Sequence, residues 1–176
     1  VPQQLNTYLH LKKSGINEPF SNYSAMLNCL WSTYVKATLN GGAMAKLAYE
    51  IADQMAEKES LWLSPSRYEE NINEIRSLES IGILKTSNTG AIGFSHQTVF
   101  EYILARSFAK QEGKLSSYVA VRMQSLFVRP KIWAALTYLR AVEPSSYETE
   151  LETIWRIPEL RSHIRYLLSD FLGTQH

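Results

Sequence analysis

The chain has 176 residues, enough for one compact domain or two small ones. Its 45% hydrophobic and 20% charged residues suit a globular fold, and 18 basic against 17 acidic side chains leave a net charge of +1, which excludes a strong bulk attraction to nucleic acid or a membrane surface. A single cysteine, Cys29, excludes an intrachain disulfide, and no apolar run reaches the roughly 18 residues of a membrane span, so a cytoplasmic protein without membrane partners is expected. The opening VPQQLNTYLH carries no basic stretch ahead of a long apolar core, so no signal peptide is expected. The first residue is Val1 and not Met, which suggests an excerpt from a longer protein.

In chain order, Pro2 can open a helix with Leu5, Tyr8, Leu9 and Lys12 on one side, before a break at Gly15 and Pro19. Ser21 is the expected N-cap of a second helix, on which Tyr23, Met26, Leu27, Leu30, Trp31, Tyr34 and Val35 recur at three- and four-residue spacing. Asn40-Gly41-Gly42 is expected to end it. Met44, Leu47, Ala48, Ile51, Ala52 and Met55 then trace a compact helical stripe. Leu61-Trp62-Leu63 is short enough for a strand, and Ser64-Pro65 reads as the start of a helix, because proline fits the first helical position. That helix carries Ile72, Ile75, Leu78 and Ile81 on one stripe and ends at Gly82.

The segments 83–86 and 91–94 predict a strand–turn–strand hairpin around Ser87-Asn88-Thr89-Gly90. A helix with Val99, Phe100, Ile103, Leu104 and Phe108 on one face follows. Helix, strand, helices and hairpin are the parts of a winged helix, placed at residues 41–113. Residues 1–40 are expected as a separate helical segment. Residues 114–176 read as helices only, spanning 115–127, 130–141, 146–155 and 159–172 and punctuated by Pro130, Pro144 and Pro158. Paired helices of this length predict the start of an α-solenoid-like, HEAT-like scaffold. The expected fold class is mainly α: a winged-helix domain with a small β-hairpin wing, flanked by a helical segment and α-solenoid-like helices.

Catalytic and metal chemistry finds little support. Gly41-Gly42-Ala43-Met44-Ala45-Lys46 has glycines and a lysine but neither the spacing nor the hydroxyl residue of a phosphate-binding loop. There is no His-Glu-x-x-His and no paired-cysteine site, and His10, His96, His163 and His176 are scattered, so no metal is expected. Cys29 lies beside a core stripe and reads as a structural thiol. Glu69-Glu70 and the series Glu148, Glu150, Glu152 read as solvated helix faces. DNA recognition is disfavoured, because Arg67–Ser80 sets Arg67 and Arg76 against Glu69, Glu70, Glu74 and Glu79, a net −2.

The stretch Gly93-Phe94-Ser95-His96-Gln97-Thr98-Val99-Phe100-Glu101-Tyr102 places a histidine between strand and helix. If Ser95 caps the helix, His96 falls in its first turn, among unpaired N–H groups at the positive end of the helix dipole. Three readings stay open: a histidine packed between hairpin and helix, half of a catalytic pair, or a contact for an anion such as a phosphate oxygen.

Phe94-x-His96-x-x-Val99-Phe100-Glu101-Tyr102-x-x-Ala105 resembles the Phe-x-His-x-[Ser/Thr]-Phe-x-Glu-[Tyr/Phe]-x-x-Ala signature in winged-helix domains of NACHT-type proteins. Thr98 takes the hydroxyl position when the spacing is counted from His96, and Val99 precedes Phe100. These proteins are signal-transduction ATPases with numerous domains (STAND NTPases), among them animal inflammasome sensors and bacterial antiphage sensors. Val1-Pro2-x-x-Leu5 is similar to the Pro-Leu-x-Leu segment of the family's small helical domain. The resemblance spans most of residues 1–112, and the tail resembles the helical superstructure that follows the winged helix in such proteins.

The resemblance implies that His96 contacts the β-phosphate of bound ADP and that Pro2 packs near the adenine. The cofactor would be ADP or ATP in the parent protein. Walker elements are expected upstream of Val1, so this stretch alone is not expected to hydrolyse ATP. Implied partners are the upstream NTPase module of the same chain and a protein ligand or trigger, with oligomerisation of the parent on activation and no DNA. The implied function is regulatory: latching the ADP-bound off state and relaying ligand sensing, as in antiphage or innate immune defence. The alternatives are a DNA-binding winged-helix transcription regulator and a helical protein-interaction scaffold.

Overall fold

The computed structural model describes residues 2–16, 19–20, 23–126 and 128–174, with residues 2–4 and 6 described in their backbone alone. The chain is mainly helical with one small two-stranded antiparallel sheet. It divides into two compact units, residues 1–103 and 104–176.

In the first unit, α1 (Pro2–Lys13) packs on α2 (Tyr23–Trp31), which runs on into a wide π-helical turn, Ser32–Lys36. The expected cap Ser21 and the side chain of Pro2 lie outside the described residues. The inward side of α1 differs from the expected one: Thr7 and Leu11 are buried, whereas Leu5 and Leu9 are exposed. Tyrosines from the next segment account for this. The Tyr34 hydroxyl lies 2.9 Å from the carbonyl oxygen of His10 and also meets the Ser14 hydroxyl, and the Tyr23 hydroxyl stands 3.3 Å from that of Thr7. Burying polar tyrosine tips demands such partners, and they fix the rotation of α1 more tightly than two leucines do.

Gly41 opens α3 (Gly41–Lys58) instead of closing the preceding helix. A β-carbon at Gly41 would stand 1.7 Å from the carbonyl oxygen of Val35, so only glycine lets α3 start against the π-helical turn. The six stripe residues of α3 are all buried, as their spacing predicts.

The single helix expected after Pro65 is two pieces: a tight 3-10 helix, Pro65–Asn71, and α4 (Ile72–Ser80). Tyr68 leaves helical geometry (φ −123°, ψ 22°), which accompanies its ring's burial. The inward set is therefore Tyr68, Ile75 and Leu78, while Ile72 is 47% exposed.

Strand β1 (Leu84–Thr86) pairs with β2 (Ile92–Phe94) in the register Leu84↔Phe94, Lys85↔Gly93, Thr86↔Ile92. The expected strand at 61–63 is reduced to one bridge, in which Leu63 and Ile92 exchange two 2.9 Å backbone bonds. Helix α5 (Gln97–Ala109) follows the hairpin and runs through the division between the units.

In the second unit every described element is helical: α6 (Lys114–Arg122), α7 (Val128–Val142), α8 (Pro144–Trp155) and α9 (Ser162–Gly173). Pro144 is the first residue of its helix and Pro130 the third of α7, positions where a missing N–H breaks no intrahelical bond. Ile132, Ala135, Leu136 and Leu139 of α7 face the core, and Trp133 meets Phe171 of α9 edge-on at 4.9 Å.

One acidic residue contradicts the solvated reading. Glu148 and Glu152 are exposed, but Glu150 is 2% exposed. Its carboxylate accepts the backbone N–H groups of Leu115 (3.2 Å) and Ser116 (2.8 Å), capping α6 from α8. The α6 N-cap position is Gly113, which has no side chain to do so, and a carboxylate at a helix N-terminus is favoured by the macrodipole.

Candidate functional site

The site is built where β2 hands over to α5. Ser95 is taken by the preceding turn: its N–H donates to the carbonyl of Ile83 (3.0 Å) and its hydroxyl to that of Gly82 (2.5 Å). The helix therefore begins one residue later than expected, at Gln97, and His96 takes the cap position in place of Ser95. His96 Nδ1 accepts the Thr98 backbone N–H at 3.2 Å and lies 3.0 Å from the Thr98 hydroxyl. A backbone N–H can only donate, so Nδ1 is the acceptor and the proton of the uncharged ring sits on Nε2. Nε2–H has no partner among the described residues.

The His96 side chain is exposed, so it is not a packed core histidine. Among the described residues its ring bonds only to Thr98, through that residue's backbone N–H and hydroxyl.

His96 lines a cavity of about 100 Å³ together with Trp62, Lys85 and Gln97, over an apolar lining that includes Met55, Phe94 and Phe100. At about 30 Å³ per water this is the space of about three waters, well below the ~300 Å³ at which pockets for whole organic ligands begin. The Gln97 amide is bonded to Glu101 (2.9 Å), and Tyr102 donates to the Asn28 side chain (2.6 Å), so those two motif residues serve α5 itself and its tie to α2.

Two contributors, Trp62 and Gly93, were not singled out from the sequence. The Lys85 ammonium lies 5.1 Å from the centre of the Trp62 ring. Gly93 makes that possible, because a β-carbon there would stand 2.7 Å from the Leu61 carbonyl oxygen and about 3 Å from the Trp62 ring carbons. A glycine inside a strand was the available signal for such an approach.

A second cavity of about 350 Å³ lies between the π-helical turn, the start of α3 and the end of α4, and its lining is uncharged, with Tyr34, Thr38, Asn40, Ser77 and Ser80 as its polar members. Cys29 is half-buried on α2. Among the described residues no group of three or more His, Cys, Asp or Glu side chains could hold a metal ion, and no helix is long and apolar enough to cross a membrane. No protein family, curated protein or solved structure matches the chain.

Proposed function

We propose that this chain is the regulatory region of a nucleotide-switched STAND ATPase of the NACHT type, holding the ADP-bound off state and relaying ligand sensing to a helical scaffold. In this proposal α3, the Leu63 bridge, the 3-10 helix, α4 and the hairpin form a winged helix. Helices α6–α9 begin an α-solenoid. An NTPase module upstream in the same chain supplies the Walker elements, a protein trigger releases the latch, and the parent oligomerises in the cytoplasm in a defence response. Pro2 would lie near the adenine.

His96 carries the reading. Its Nδ1 is committed to the helix cap, which leaves an Nε2–H donor on the rim of a pocket of phosphoryl size. A hydrogen bond from that donor to an anionic phosphate oxygen contributes about 1.5–3 kcal/mol, or roughly ten- to a hundredfold in ADP affinity. A change of that size is enough to shift a two-state latch.

The capping role decides how to test it. His96→Ala removes the cap as well as the donor and costs about 1 kcal/mol of stability whatever the ligand does. His96→Asn keeps a side-chain acceptor for Thr98 while removing the imidazole. In the parent protein, His96→Asn is expected to release ADP ten- to a hundredfold more readily and raise spontaneous signalling, at near-unchanged melting temperature. Unchanged ADP retention in His96→Asn would overturn the latch.

A further inference from the structure

The pocket beside His96 also holds a cation. Lys85 is the middle residue of β1 and stands directly opposite Gly93. Directly opposed residues of an antiparallel pair project to the same face, and the β-carbon direction of Gly93 runs into Trp62. The lysine is thereby laid over the indole, with its ammonium at the pocket and exposed to solvent. No carboxylate pairs with it among the described residues, and Glu101, one turn along α5, is bonded to Gln97. An unpaired ammonium and an unpaired N–H donor thus share a small cavity walled by aromatic rings.

We propose that Lys85 is a phosphoryl-binding residue: Lys85 and the Nε2–H of His96 together hold a small phosphoryl anion against Trp62. The anion is either free, as phosphate or pyrophosphate, or the terminal phosphoryl group of a nucleotide whose nucleoside stays outside the cavity. The proposal shares its pocket with the latch reading and adds a residue to it, but it needs neither an ATPase module nor signalling.

The test is a titration of this chain with pyrophosphate, phosphate, ADP and adenosine by calorimetry at low salt, with Trp62 emission as a second readout. Pyrophosphate is expected to bind, more weakly as salt rises, and to change Trp62 emission as the ammonium leaves the ring. Lys85→Gln should weaken pyrophosphate binding about tenfold without altering the melting temperature, since the side chain is exposed. Trp62→Phe should remove the emission change, which assigns that signal to this ring among the chain's four tryptophans. Adenosine should not bind. Equal affinities for ADP and pyrophosphate would identify the free anion as sufficient, whereas tighter ADP binding that still depends on Lys85 would identify a nucleotide. Absence of pyrophosphate binding, or binding indifferent to Lys85→Gln, overturns the proposal. Failure of the latch is separable: ADP retention in the parent would then ignore His96→Asn while pyrophosphate binding here still followed Lys85.

Discussion

The Tyr68 ring is buried to 1% exposure, yet its hydroxyl has no hydrogen-bond partner among the described residues. Leaving a buried hydroxyl unsatisfied costs about 1–3 kcal/mol. Burial raises its pKa above the ordinary 10.0, the charge of Glu50 adds to that, and Arg67 opposes it. The neutral phenol is therefore the form the fold accepts. Above pH 10 the unfolded chain releases this proton first, so stability is full below that pH and falls as pH rises toward the folded-state value. Tyr68→Phe keeps the ring and should abolish that alkaline loss while matching or exceeding the parent's stability at neutral pH. Denaturant titrations at neutral and alkaline pH check it, and an unchanged alkaline limb would place the loss on another tyrosine. Gly93 sets a second limit at this scale. Gly93→Ala pushes a β-carbon against the Leu61 backbone, and a shift there should cost about 1–3 kcal/mol and change Trp62 emission. Unaltered emission would mean that Trp62 does not depend on the glycine.

At the scale of elements, α6 owes its start to a residue of α8. Glu150→Ala leaves the Leu115 and Ser116 N–H groups buried without their acceptor, which should cost about 3 kcal/mol. Glu150→Gln keeps one carbonyl acceptor and should cost about half as much. Hydrogen exchange of α6 amides reads this directly, with protection lost first at residues 115 and 116; equal protection in Glu150→Ala would remove the capping role. Residues 148 and 152 are four apart and share a helix face, while residue 150 lies on the opposite one. The sequence therefore held the information that the three glutamates cannot all face the same way. Which of the two sides was solvent depended on where α6 packs.

For the whole molecule the balance of charge matters more than any single group. The net charge is +1, and α4 with its preceding turn carries more acid than base. Arg67 is also bonded to Gln54 at 2.5 Å, and Glu79 accepts the Thr86 hydroxyl, so the cation on the 3-10 helix is already engaged. Appreciable affinity for mixed-sequence duplex DNA at physiological salt is not expected, because neutralising phosphates needs several free cations. Fluorescence anisotropy checks this, and submicromolar, strongly salt-dependent binding would favour a DNA-binding regulator over the latch.

The α3 stripe, the Ser87–Gly90 turn with its flanking strands, and the described helices of the second unit were legible in the sequence, because helical periodicity and turn chemistry act within a few residues. The rotation of α1, the break at Tyr68, the burial of Glu150 and the seat of Trp62 on Gly93 were decided only by tertiary structure. Each depends on a partner far along the chain: Tyr34 for α1, the Leu115–Ser116 backbone for Glu150, Leu61 and Trp62 for Gly93. The site shows both origins. The sequence put a histidine at the mouth of a helix, but the bonds from Ser95 back to Gly82 and Ile83 moved the cap onto it, and strand pairing brought Lys85 to its side. Local pattern chooses which elements form; the polar groups they must satisfy against one another choose which side chains meet.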